Sequence, residues 1–167
     1  MIYAILIINN HGKPRLTKFY KHYTEAQQQR LIREVYQQVS KRTEVMCNFL
    51  EGGEEWGEDT KLIYRHYATL YFVFCADSSE SELGILDLIH IFVEALDKCF
   101  ENVCELDLIF HMDKVHHILE EVVMGGMVLE TNLQTILQVI QEQNKIEKTE
   151  NPIKTGLREV MSKKIFK

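Results

Sequence analysis

Residues Lys61 to Asp77, KLIYRHYATLYFVFCAD, constrain the fold more than any other stretch. Tyr67 to Ala76 is almost entirely apolar and dense in aromatic and β-branched residues. It is shorter than the ~20 residues a membrane-spanning helix needs. It carries no helical spacing of polar residues, so it predicts a strand buried on both faces, central in a sheet with helices above and below. Lys61 to Arg65 alternates more and predicts a neighbouring strand with one wetter face. The turn between the two is expected near Arg65 to Tyr67.

A second continuous apolar run, Met1 to Ile8, predicts another central strand. Asn9 to Gly12 tolerate positive φ and close a hairpin with Lys13 to Tyr20. Pro14 cannot donate to a ladder, so this strand belongs at the sheet edge, guarded by Lys13, Arg15, Lys18 and Lys21. Thr24-x-x-Gln27 opens a helix to about Ser40, with Leu31, Val35 and Val39 on its apolar stripe. Cys47 to Glu51 predicts a short strand, and the acidic Gly52 to Thr60 segment a loop anchored by Trp56.

After the central stretch, Ser79-x-x-Glu82 is a second capping box, with a helix from Glu80 to about Phe100. A third helix is expected from about Glu105 to Met124, ended by Gly125-Gly126. A shorter one runs from Thr131 to about Asn144. The order ββαβββααα describes an α+β domain: a five-stranded antiparallel sheet flanked by helices on both faces. Its expected extent is 1–144, followed by a basic tail over 145–167, either disordered or a short amphipathic helix.

Charge divides along the chain. Residues 1–42 carry a net +6, 43–150 a net −16 and 151–167 a net +4. This implies a basic surface on an acidic body, or charges that simply solvate helix faces. Cys47, Cys75, Cys99 and Cys104 form no CxxC pair and sit among apolar residues, so mostly buried, reduced thiols of a cytosolic protein are expected. The residues show no signal peptide and no transmembrane span.

Catalytic constellations are missing. There is no GxxxxGK[ST], GxGxxG or GxSxG motif. His111, His116 and His117 lack the i, i+4 spacing of zinc ligands on a helix. No nucleophile, base and oxyanion site can be named together, which counts against a small hydrolase or metal enzyme. No cofactor is expected. The basic strip is short and the body would repel phosphates, so nucleic acid is not an expected partner.

MIYAILIINNHGKPRL, KLIYRHYATLYFVFCAD and ENVCELDLIFHMDKVHHILEEVVMGG, in that order, resemble the small (sigma) subunits of adaptor-protein coat complexes over residues 1–142. LEGG at Leu50 to Gly53, the acidic loop after it, and DSSESELGILDLI are most similar to the third adaptor complex. The resemblance implies a longin-like fold with no enzymatic role. It implies a large delta-type partner, with beta-type and mu-type subunits in the same complex. It implies a cytoplasmic protein, peripheral on Golgi, endosomal and cytoplasmic vesicle membranes, that with its large subunit binds acidic dileucine signals in cargo tails.

The same resemblance assigns the acid of the signal to Arg15. It assigns the two leucines to a pocket of Ala68, Leu70, Val93, Asn102, Val103 and Leu108. These residues suit the task. Arg15 lies on an edge strand, free to project a guanidinium at a carboxylate. Ala68 is small and leaves room beside Leu70. Val103 and Leu108 bracket a turn between helices, where apolar side chains can be exposed, and Asn102 can bond an extended backbone. Two other readings share the fold: a longin-type regulator of membrane fusion or small GTPases, and a coatomer zeta-type subunit.

Overall fold

The computed structural model describes residues 1–150. Five strands form one antiparallel sheet: β1 (Ile2–Asn9), β2 (Pro14–Phe19), β3 (Phe49–Glu51), β4 (Thr60–Tyr67) and β5 (Leu70–Asp77), in the order β2-β1-β5-β4-β3. The most apolar run, β5, lies at the centre, and the Pro-bearing β2 lies at an edge, as the sequence predicts. Alternation along β1 feeds two cores. Ala4, Leu6 and Ile8 face helix α1 (Glu25–Val39), against Leu31, Val35 and Val39. Ile5 and Ile7 face the opposite layer of α2 (Glu82–Phe100), α3 (Glu105–Phe110), α4 (Met112–Val122) and α5 (Leu133–Glu150). Both faces are therefore covered, which is why β1 and β5 read as unbroken apolar runs rather than alternating ones.

Helix α1 starts at the Thr24 box: Thr24 Oγ1 accepts from Gln27 N, and Thr24 N donates to Gln27 Oε1 at 2.9 Å. The 52–59 loop is pinned by Trp56, buried against α1, stacked on Phe19 and edge-on to Tyr23.

Several local expectations are corrected. The β4–β5 turn falls at Ala68-Thr69, because the ladder continues to Tyr67↔Leu70. The cap of α2 is Ser81, whose Oγ accepts from Gly84 N at 3.2 Å, and not Ser79. The third helix is split at His111, which leaves helical geometry at φ −124 and ψ 41 while the bonds on either side of it continue. It ends at Val122. Gly125 and Gly126, both at positive φ, form the two-residue loop of a hairpin between β6 (Val123–Met124) and β7 (Met127–Val128). Helix α5 runs past Asn144 to Glu150, since no Gly or Pro interrupts it there, so the expected 144/145 boundary falls inside a helix. Residues 151–167 of the expected tail lie outside the described residues. Cys75 is buried, but Cys47 and Cys104 are exposed.

The basic edge does not stand free. Lys18 Nζ reaches Glu120 Oε1 of α4 at 3.2 Å, and Arg15 Nε reaches Glu105 Oε1 of α3 at 2.7 Å. Part of the positive N-terminal segment is thus neutralised by the acidic body within the chain. No helix among the described residues is long and apolar enough to cross a membrane.

Candidate peptide-binding site

The site lies at one end of the sheet, where three connections meet. The first is the β1–β2 turn, organised by Asn9. Its Oδ1 accepts from His11 N at 3.0 Å and from Lys13 N at 2.8 Å. The second is the β4–β5 turn, joined to the first by Asn10 N donating to Thr69 O at 2.9 Å. The third is the α2–α3 loop. There Glu101 and Asn102 take positive φ, 53 and 77, and reverse the chain directly after α2. Asp97 holds the reversal: Val103 N donates to its Oδ1 at 3.1 Å. Asp107 Oδ2 then accepts from Cys104 N at 2.9 Å and starts α3.

The structure places the residues that the sequence singled out as follows. Leu70, on β5, and Leu108, on α3, belong to the core, at 7% and 1% exposure. Leu108 is a floor residue rather than an exposed one, because the first turn of α3 lays it against the sheet. Val93, on α2, and Val103, on the loop, are half-buried and pack over the same core. They form an apolar rim on the core cluster to which Leu70 and Leu108 belong. Asn102 is exposed beside Val103. Ala68 is not on the strand but is the first residue of the turn, exposed and at φ 52.

Arg15 does not project freely. It is half-buried and tied through Nε to Glu105. Glu105 Oε1 also accepts from Asn9 Nδ2 at 3.1 Å, and its Oε2 accepts from Thr69 Oγ1 at 3.1 Å. One carboxylate at the start of α3 therefore joins β1, β2 and the β4–β5 turn. Glu105, Asn9 and Thr69 lie within the stretches that carry the resemblance but were not among its expected site residues. They are far apart in the chain and meet only through strand register.

Arg15 beside it holds the Glu105 carboxyl below the usual carboxylate range; burial opposes this as the next largest influence, and the Asn9 amide and Thr69 hydroxyl add smaller lowering effects. A carboxyl lowered in the fold contributes stability above its ordinary range and loses it as pH falls through the lowered value. Arg15→Ser removes the largest of these influences. We expect the Glu105 titration to move upward toward the ordinary range in that variant, read from its carboxyl carbon shift by NMR. An unmoved titration would show that Asn9 and Thr69 suffice.

The described residues contain no group of three or more His, Cys, Asp or Glu placed to hold a metal ion. Arg15 stands half-buried at this end of the sheet, and Val93 and Val103 are half-buried on the core.

Comparison with known proteins agrees with this architecture. Residues 1–147 match the model of the clathrin adaptor complex small chain family. The chain belongs to that family of coat-adaptor small chains. Within it, the chain is similar to sigma subunits of AP-3 complexes. It is 67% identical over 164 residues to AP-3 complex subunit sigma of Dictyostelium discoideum, covering 96% of each chain. It is 70% identical over 151 residues to AP-3 complex subunit sigma-2 of Homo sapiens, covering 90% of this chain and 78% of that one. A chain in a homology model of the full-length AP-3 complex in a stretched open conformation superposes with TM-score 0.71 at 42% identity, over 91% of this chain and 98% of that chain.

Proposed function

We propose that this small chain, with a large delta-type subunit, binds acidic dileucine signals of the form ExxxLL, or with Asp or a final Ile. The signals lie in cargo tails bound for lysosomes, vacuoles and related organelles. Beta-type and mu-type subunits complete the complex, which works from the cytoplasm on Golgi, endosomal and vesicle membranes. The observation that carries the reading is the Arg15–Glu105 pair at the start of α3, in the same connection as Val103, which packs with Val93 on the core. Support for a large partner comes from α3, which leaves Leu106 and Phe110 60% and 74% exposed.

The test is titration of fluorescent ExxxLL peptides against the assembled complex. An exposed charge pair contributes about 0.2–1 kcal/mol and is screened by salt. Arg15→Ser is therefore expected to weaken binding only a few-fold at physiological salt and more at low salt. Tyrosine-based signals, assigned by the resemblance to another subunit, serve as the control and should bind unchanged. A wild-type complex indifferent to dileucine peptides would overturn the reading.

A further inference from the structure

We infer that Glu105 is a positioning residue for the acidic subsite: it fixes the Nε edge of Arg15 so that both Nη groups face the arriving acid. This rests on the dileucine reading above. A guanidinium carries five N–H donors in a rigid fork. Glu105 takes only the one on Nε, at 2.7 Å. Among the described residues the Nη groups make no hydrogen bond, so four donors remain for a second carboxylate.

The tie is itself held from both sides. Glu105 is bonded by Asn9 and Thr69 as well as by Arg15, so the carboxylate cannot swing with the arginine. Asn9 is 4% exposed and uses its other amide atom to build the β1–β2 turn. A long arginine side chain on an edge strand otherwise samples many rotamers, and a peptide binding it would have to arrest them. Here they are arrested beforehand by groups from three elements. The apolar rim does not depend on this tie, because Asp97 and Asp107 bond the backbone at Val103 and Cys104. Glu105 therefore acts on where the acid is read, and so on the number of residues tolerated between the acid and the leucines.

The alternative role for the same carboxylate is competition, in which Glu105 occupies Arg15 and the signal must displace it. The two are separable, because glutamine can rebuild every bond without the charge. Its Oε1 accepts from Arg15 and Asn9, and its amide donates to the Thr69 hydroxyl, which turns to accept.

The experiment titrates ExxxLL, QxxxLL, and peptides with the acid moved one residue either way, against the assembled complex carrying wild-type, Glu105→Ala or Glu105→Gln chains. In the wild type, ExxxLL should bind roughly two- to fivefold tighter than QxxxLL, the scale of one exposed charge pair. Glu105→Ala is expected to bring that ratio, and the preference for acid position, close to one, with the affinity for ExxxLL falling toward that for QxxxLL. Glu105→Gln is expected to keep both preferences. The inference is overturned if Glu105→Ala keeps the wild-type ratio, if it loses QxxxLL binding equally, or if both variants bind ExxxLL more tightly, the mark of competition. A wild-type complex that binds no dileucine peptide sinks the dileucine reading and this inference with it. An acid preference that survives in Glu105→Ala sinks this inference alone.

Discussion

Val103→Asp is expected to lower the affinity of the assembled complex for an ExxxLL peptide by about ten- to a hundredfold, far more than Arg15→Ser. Burying one leucine side chain contributes roughly 1.5–3 kcal/mol, and each ~1.4 kcal/mol is a factor of ten in affinity. Val103 is half-buried on the core cluster that includes Leu70 and Leu108, so in the proposed site a carboxylate there would meet the leucines of the signal with a charge that must be desolvated. It also stands next to Asp97, whose carboxylate accepts from Val103 N, and the like charge deepens the loss. Because the residue lies on a loop, its replacement creates no cavity in the sheet, and the complex should still assemble. Association itself costs on the order of 4 kcal/mol or more, so the proposed wild-type site should be a weak one that gains from several contacts made at once. Isothermal or fluorescence titration checks this. The rim is misplaced if Val103→Asp binds like wild type while Arg15→Ser does not bind at all.

The large features were legible because each rests on burial. A strand covered on both faces has no polar period, so β1 and β5 declared themselves as central, and Pro14 placed β2 at the edge. Thr24 declared its helix because a capping box is local. What failed was decided by one residue of backbone geometry or by distant partners. Ala68 adopts positive φ without being a glycine or asparagine, so no residue type announced the β4–β5 turn. Gly125-Gly126 suits a helix end and a hairpin loop equally, and the Val122-Val123 pair before it favoured the strand. Continuation of α5 to Glu150 was hidden by its polar surface, although nothing in the chain stops it there. For the proposed site, the resemblance named residues to place, but nothing in the sequence revealed the state of Arg15. Glu105 reaches it only because the hairpin and α3 meet at the same end of the sheet, a consequence of register that local patterns do not carry.

Phe92→Ala should cost about 3–5 kcal/mol, the range for emptying an aromatic site in a core. Phe92 is fully buried at the middle of α2 and meets Phe72 of β5 edge-on, with ring centroids 6.3 Å apart. It thus fastens the central strand to the helix that carries Val93. Its neighbours Leu88, Ile89 and Leu96 are equally buried, and a helix held by its whole stripe cannot collapse into the gap, so the cavity penalty adds to the lost transfer energy. Domains of this kind have about 5–15 kcal/mol in total, so a large share of stability goes with one side chain. Thermal unfolding of the complex should shift down by roughly 10 °C for a chain of this size. Phe92→Leu, which keeps most of the volume, should lose far less. The expectation fails if the alanine variant melts within a degree or two of wild type. That would mean that α2 is held by its partners in the assembled complex rather than by the β5 face.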